Sequence, residues 1–214
     1  MTQYGFYFNS ARCTGCRTCE MACKDNKDLA ETVAFRKIFD YEGGDWTDNG
    51  DGTFTQTAFA YHVSAACNHC ANPACVANCP TGAMQKDPET GIVQSDPEVC
   101  IGCGTCANTC PYSVPVIVEQ KSRKCDMCRD RVAAGLRPIC VDACPLRALD
   151  WGDIEELKTK YPDAVDGIAP LADPSQTTPS ILIGTCPACK EVGDTTGMVN
   201  NQKEIDLEPA REII

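Results

Sequence analysis

Thiols at short, fixed intervals are the residues of this chain with chemistry to offer. The stretch Cys100-Ile-Gly-Cys103-Gly-Thr-Cys106-Ala-Asn-Thr-Cys110-Pro111 spaces four of them as C-x2-C-x2-C-x3-C-P. Soft thiolates in this pattern point to iron–sulfur cubanes, because a tight loop with two residues between ligands reaches three of the four iron corners. After three more residues and a proline the chain has turned away, so the fourth thiolate is free to serve a second cluster. A zinc site would favour isolated C-x-x-C pairs, and a disulfide framework has no need of strict x2-x2 spacing.

Three further runs follow the same logic. The first is Cys13, Cys16, Cys19 and Cys23, followed by Lys24 instead of proline. The second is Cys67, Cys70, Cys75 and Cys79-Pro80, its wider middle gap holding Asn72-Pro73. The last is Cys125, Cys128, Cys140 and Cys144-Pro145, with Arg129, Arg131 and Arg137 in a gap that Gly135 and Pro138 should break. Internal repetition argues for duplication: Cys79-Pro-Thr-Gly-Ala-Met84 echoes Cys144-Pro-Leu-Arg-Ala-Leu149, and Cys13-Thr-Gly-Cys16 echoes Cys100-Ile-Gly-Cys103. Two runs make a two-cluster module, so four runs imply two modules and four 4Fe-4S clusters, which need the sixteen thiolates the runs supply. Cys186-Pro-Ala-Cys189 stands apart and has no assigned role, since two thiolates do not complete a tetrahedral site.

The elements that must hold these runs are short. Tyr4–Phe8, Phe59–Val63, Gly91–Gln94 and Val116–Val118 read as strands, and Cys19–Leu29 as a helix. Residues 30–60 read as an insertion with a hairpin, its turns marked by Gly43-Gly44 and Asn49-Gly-Asp-Gly52, and Trp46 is expected in the insertion's own core. Asp153-Ile-Glu-Glu156 is a capping box for a helix reaching about Tyr161, and Ser180–Ile183 suits a strand. Beyond it the polar remainder to Ile214 is expected to wrap a surface or a partner. The only histidines are His62 and His69; with four cysteines at hand, a hydrogen bond or surface position suits His69 better than ligation.

Composition sets the outer limits. Eighteen of 214 residues are cysteine and the net charge is −11, its acidity concentrated in residues 61–119 and the tail, which argues against nucleic acid as a partner. The start has no basic n-region or apolar h-region of a signal peptide, and no apolar run is long enough for a bilayer span. We therefore expect synthesis in a reducing cytoplasm, where so many cysteines mean metal rather than disulfides. No nucleophile–base pair, phosphate loop or dinucleotide fingerprint is present, so the protein is expected to be non-catalytic on its own.

With the flanking segments QYGFYFNSARCTGCRTCEMACKDNKDL, GGDW, CNHCANPAC, CPTGAM, CIGC, KCDMCRDRVAAG, RPIC, CPLRALDWG and GDTTG in view, the chain resembles the iron–sulfur subunits of anaerobic dimethyl sulfoxide reductases over nearly its whole length. The cysteine runs alone would suit a wider group of four-cluster subunits in formate, nitrate and polysulfide enzymes. The resemblance implies an α+β fold of two interleaved bacterial-type ferredoxin-like modules with an insertion and a C-terminal tail. Residues 1–60 with 120–150 would form module one, 61–119 module two, and 151–214 an extension packing on a module or a partner. It implies one 4Fe-4S cluster on Cys13, Cys16, Cys19 and Cys144, and a second on Cys23, Cys125, Cys128 and Cys140. A third takes Cys67, Cys70, Cys75 and Cys110, and a fourth Cys79, Cys100, Cys103 and Cys106. Cys186 and Cys189 have no counterpart in that scheme.

The implied role is electron transfer from a quinol-oxidising membrane anchor subunit to a molybdopterin (bis-guanine dinucleotide) catalytic subunit. The protein would be peripheral on the membrane through these partners, with co-export beside the catalytic subunit left open. A related molybdenum complex acting on another substrate (an aromatic or catechol dehydroxylase, polysulfide or thiosulfate, formate) and a free multi-cluster ferredoxin are the alternatives. Arg12, Arg17, Arg123, Lys124, Arg129 and Arg147 flank the runs and are candidates to raise cluster potentials or to pair with a partner's carboxylates.

Overall fold

The computed structural model describes residues 2–205. Strand β1 (Tyr4–Asn9) lies at the middle of a three-stranded sheet, because its aromatic side chains are buried and both of its edges find partners. The first cysteine run then enters helix α1 (Thr18–Asn26). Strand β2 (Lys37–Gly43), the short pair β3 (Trp46–Asp48) and β4 (Phe54–Gln56), and β5 (Phe59–Ala65) make up the insertion and its return. There follow α2 (Ala74–Ala77), β6 (Met84–Lys86), β7 (Val93–Ser95), α3 (Thr105–Thr109), β8 (Val116–Val118) and β9 (Lys121–Arg123). The last run lies on α4 (Arg129–Ala133) and α5 (Ile139–Ala143). Then come β10 (Leu149–Asp153), α6 (Ile154–Lys160), a 3-10 turn at Pro174–Gln176, β11 (Ile181–Gly184), β12 (Gly197–Val199) and α7 (Gln202–Ile205).

Proline decides the helix lengths. A residue before proline is pushed out of the α region, and Cys110 and Cys144, before Pro111 and Pro145, are both extended (ψ 116° and 110°). Helices α3 and α5 accordingly stop after five residues, whereas α1, with Lys24 after its last cysteine, runs for nine. Glycine decides the loops. In the C-x-G-C loops Gly15 (φ 66°) and Gly102 (φ 71°) are left-handed, and a Cβ on Gly102 would sit 2.3 Å from the backbone oxygen of Gln120.

The tail is built into the fold. Strand β11 pairs in parallel with β1 while β10 pairs antiparallel on the other side, and β12 extends the β2–β5 pair at the β2 edge. Ile168, Leu171, Ile181 and Ile183 lie in the same buried core as Phe6, Phe8 and Val63. The tail thus supplies core as well as cover, because Ile168, Leu171, Ile181 and Ile183 turn inward, while Val165 stays exposed. Asp153 caps α6, accepting from the Glu155 and Glu156 amides. The strand expected at Gly91–Gln94 begins at Val93, since Gly91 is left-handed (φ 71°).

Trp46 is not a core residue. It is 70% exposed at the β3–β4 hairpin, all six residues of which face solvent. The pair is two short strands with no third layer to cover them, so there is no insertion core for the indole to enter. Residues 206–214, part of the segment expected to wrap a surface, lie outside the described residues.

Candidate metal centres

All eighteen cysteines are free thiols, and sixteen of them gather in four groups. Cys13, Cys16, Cys19 and Cys144 line one small cavity of about 20 Å³. Cys67, Cys70, Cys75 and Cys110 line another, and Cys79, Cys100, Cys103 and Cys106 a third, each also of about 20 Å³. Cys23, Cys125, Cys128 and Cys140 are all buried and close enough to act on one another's charge. Four sulfurs around a small space are the donor chemistry of an iron–sulfur cluster. Among the described residues no three His, Cys, Asp or Glu side chains converge on the single point that one ion would need.

Helices pair these groups. Helix α1 carries Cys19 of one group and Cys23 of the next, and α5 with its cap carries Cys140 and Cys144 of the same two groups. In the other half, Cys75 lies on α2 with Cys79 just past its end, and Cys106 lies on α3 with Cys110 at its cap, again dividing between two groups. The junction between the halves is a buried cluster holding Cys23, Cys67 and Cys125. The four groups therefore adjoin in a series, and each terminal group has one exposed thiol, Cys16 at one end and Cys103 at the other.

Burial sets the protonation chemistry. It pushes the Cys13 and Cys70 thiols up to about 11 and those of Cys23 and Cys75 up to about 12. Burial also raises fully enclosed Cys125, with the nearby sulfurs of Cys67 and Cys23 adding to the effect. Exposed Cys16 and Cys103 move the other way, because the hydroxyls of Thr18 and Thr105 hydrogen-bond their sulfurs at 3.3 Å. A cation bound beside the raised thiols would favour their ionised form, which is the linkage expected of a metal site. Backbone amides are already aimed at sulfur. Met84 N–H donates to Cys79 Sγ (3.3 Å), Ser122 N–H to Cys100 Sγ (3.3 Å), Met127 N–H to Cys125 Sγ (3.4 Å) and Ala148 N–H to Cys144 Sγ (3.3 Å).

Of the flanking cations only Lys124 is buried against a sulfur. Its ammonium lies 3.5 Å from Cys67 Sγ and donates to the carbonyls of Val93 and Cys125. Arg17 instead pairs with Asp40 (3.0 Å) and Glu204 (2.6 Å), so carboxylates of this chain offset its charge. Arg147 donates to the carbonyls of Asp142 and Cys144 (both 3.1 Å), closing the end of α5. Arg129 meets Gln94 and Asp130, Arg123 lies 5.9 Å from the Phe35 ring centre, and Arg12 is exposed.

The hydrogen bond expected of His69 is present, and sequence reasoning missed other neighbours of the thiols. His69 is fully enclosed; burial holds it neutral, its Nδ1 accepts from Val93 N–H (2.9 Å), and Nε2 faces Cys125 Sγ at 3.9 Å. Ser64 Oγ lies 3.5 Å from Cys19 Sγ and Ser122 Oγ 3.2 Å from Cys106 Sγ. The signal for both serines was available: each stands three residues before the first cysteine of a run, Cys67 or Cys125. Arg36 is completely buried next to the first two groups. Cys186 and Cys189 line none of the three cavities; their sulfurs are 3.2 Å apart, and Ser10 Oγ lies 3.8 Å from Cys186 Sγ.

Comparison with known proteins agrees with this chemistry. A family model described as a 4Fe-4S dicluster domain matches residues 58–154, and one described as a 4Fe-4S binding domain matches residues 10–27. The sequence is 51% identical to the B subunit of the anaerobic dimethyl sulfoxide reductase of Haemophilus influenzae, over 96% of its own length and all of that protein. It is 52% identical to the corresponding subunit of Escherichia coli K12, over 95% and 99%. A more distant relative, protein NrfC of E. coli K12, is 35% identical over 72% of this chain and 67% of its own.

Proposed function

The protein belongs to the family of iron–sulfur B subunits of anaerobic dimethyl sulfoxide reductases, and from that premise we propose how it carries electrons and between which partners. It is an electron-transfer subunit with 4Fe-4S clusters. In our reading the clusters number four, held by the four groups of thiols described above. The interleaved arrangement follows from that assignment, with residues 1–60 and 120–150 holding the first two and 61–119 the last two. Residues 151–205 are an extension that packs on both modules, through β11 against β1 in one and through Thr177, Thr178 and Ser180 against residues 68–72 in the other.

Each thiolate holds one iron corner, and the amide donors from Met84, Ser122, Met127 and Ala148 stabilise the negative sulfur. Apolar walls keep water from the inner sites. When bound, the clusters supply one-electron redox chemistry. The observation that carries the proposal is the series of adjoining groups with an exposed thiol at each end, since a conduit needs two surface contacts and an insulated middle. Cys16 marks the end facing a molybdopterin catalytic subunit and Cys103 the end facing a quinol-oxidising membrane anchor. The subunit is non-catalytic by itself. Among the described residues no helix is long and apolar enough to cross a membrane, so contact with the bilayer runs through the anchor.

Anaerobic purification of the native assembly tests both parts. We expect about 16 iron and about 16 sulfide atoms per chain, from sixteen thiolates in fours, with a molybdenum-containing subunit co-purifying. Iron near 8 per chain, or stoichiometric zinc, would overturn the four-cluster reading. A full iron content in a protein that purifies alone would overturn the partner reading.

A further inference from the structure

Arg36, just before β2, is an unusual place for a charge. It is 2% exposed, and its guanidinium lies over the Phe6 ring, 4.9 Å from the ring centre. Nη1 donates to the Ser64 carbonyl (3.2 Å) and hydroxyl (3.0 Å), while Nε and Nη2 are buried with no hydrogen-bond partner. Among the described residues no carboxylate pairs with it. An unpaired buried cation costs several kcal/mol after relaxation, so this residue requires a negative counter-charge close by. Burial opposes its charge, but the sulfurs of Cys140, Cys19, Cys125 and Cys23 favour it. One of those belongs to the first thiol group and three to the second.

We propose that Arg36 is a fixed positive charge shared by the first two clusters, holding both reduction potentials up and leaving Nε and Nη2 as donors to cluster sulfur. This rests on the cluster assignment above. Reduction adds one negative charge to a cluster, and a nearby buried cation stabilises that product more than the oxidised form. Ser64 makes the effect directional. Its hydroxyl meets both Nη1 and the Cys19 sulfur, so it fixes the guanidinium beside the first group. Arg36 is therefore a positioning residue of the redox chain, acting on ligands without being one.

The test is a potentiometric titration, followed by electron paramagnetic resonance, of the intact complex carrying Arg36→Gln or Arg36→Lys. We expect Arg36→Gln to lower two of the four midpoint potentials. At a fixed ambient potential the reduced-to-oxidised ratio of each should fall at least tenfold, about 59 mV for a one-electron couple. Arg36→Lys should move the same two by less than tenfold. Repeating the titration with Cys103→Ser, which marks the fourth cluster, should leave the two shifted signals untouched. Four unmoved potentials, equal shifts in the Gln and Lys variants, or a shift that tracks the Cys103-marked cluster would overturn the proposal. If Arg36→Gln loads fewer clusters, Arg36→Lys decides alone, and no movement of the two potentials then overturns it. Iron content separates this from the underlying reading: about 16 iron per chain with unmoved potentials removes only the role of Arg36.

Discussion

The two halves of the molecule are built on one frame, and the residues that break the match are the informative ones. In β2 and β5, Ile38 stands opposite Ser64; in β8 and β9, Ile117 stands opposite Ser122. Each serine meets the third sulfur of its loop, Cys19 or Cys106. Counting two residues back along the first strand of each pair puts buried Arg36 in one half and buried Pro115 in the other. The residue before the next run reverses the pattern, with Ala66 in one half and buried Lys124 in the other. Cations have therefore been placed at unequal points of a duplicated scaffold, one by the first two groups and one by Cys67 and Cys125. The serine–sulfur frame thus repeats between the halves, while the buried cations beside it do not.

The largest expected break is at the ligands. Cys16→Ser and Cys103→Ser each remove the exposed thiol of a terminal group, so one iron corner loses its sulfur. We expect a three-iron resonance in the oxidised protein, or loss of one cubane, from either variant. The pair sharpens the comparison, because the two should impair opposite ends: Cys16→Ser the exchange with the molybdenum subunit, Cys103→Ser reduction by quinol. Four intact cubane signals in either reduced variant would show that the cysteine is not a ligand.

Next are the loop glycines. Both Gly15 and Gly102 are left-handed, which alone costs an alanine about 1–2 kcal/mol. Their surroundings differ. A Cβ at Gly102 meets the Gln120 backbone at 2.3 Å, whereas at Gly15 it meets the His62 ring at 2.7 Å. A side chain can shift more readily than a backbone held in the tight turn between β8 and β9, so Gly102→Ala should lower the melting temperature of the loaded protein more than Gly15→Ala. An equal loss would mean that the β8–β9 turn yields as easily as a side chain.

What the sequence revealed and what it withheld follow from the range of each interaction. The runs were legible because cluster ligation is a local spacing rule, whereas the short helices that end ahead of Pro111 and Pro145 were not expected. The capping of α6 by Asp153 is local in the same way. Arg36 was not legible: nothing near it in sequence separates a buried guanidinium from a surface one, and its partner Ser64 is 28 residues away. The hydrogen bond of His69 and the place of Lys124 among the candidate cations were legible, but their burial was not, because each looked in sequence like a polar residue of a loop. Trp46 was misjudged because an aromatic between turn signals suggests a core, whereas a two-stranded hairpin has none to offer.

The smallest expected effects lie at the residue after the second cysteine of each loop. Arg17 and Gly104 both cap their helices in the left-handed conformation, at φ 60° and 74°. Gly104 has open space where a Cβ would go, so Gly104→Ala should cost only the conformational term, about 1 kcal/mol. In the first half that cost is already present in the native protein, because Arg17 occupies the strained position. Its ion pairs with Asp40 and Glu204 offset it only partly, since pairs this exposed contribute about 0–1 kcal/mol each. Arg17→Gly removes strain and ion pairs together and loosens the unfolded chain, and these terms nearly cancel. We expect a stability change within about 1 kcal/mol, and a melting temperature that becomes less dependent on salt because the screened pairs are gone. A loss well above that range would mean that Arg17 is held in place by more than its two carboxylates.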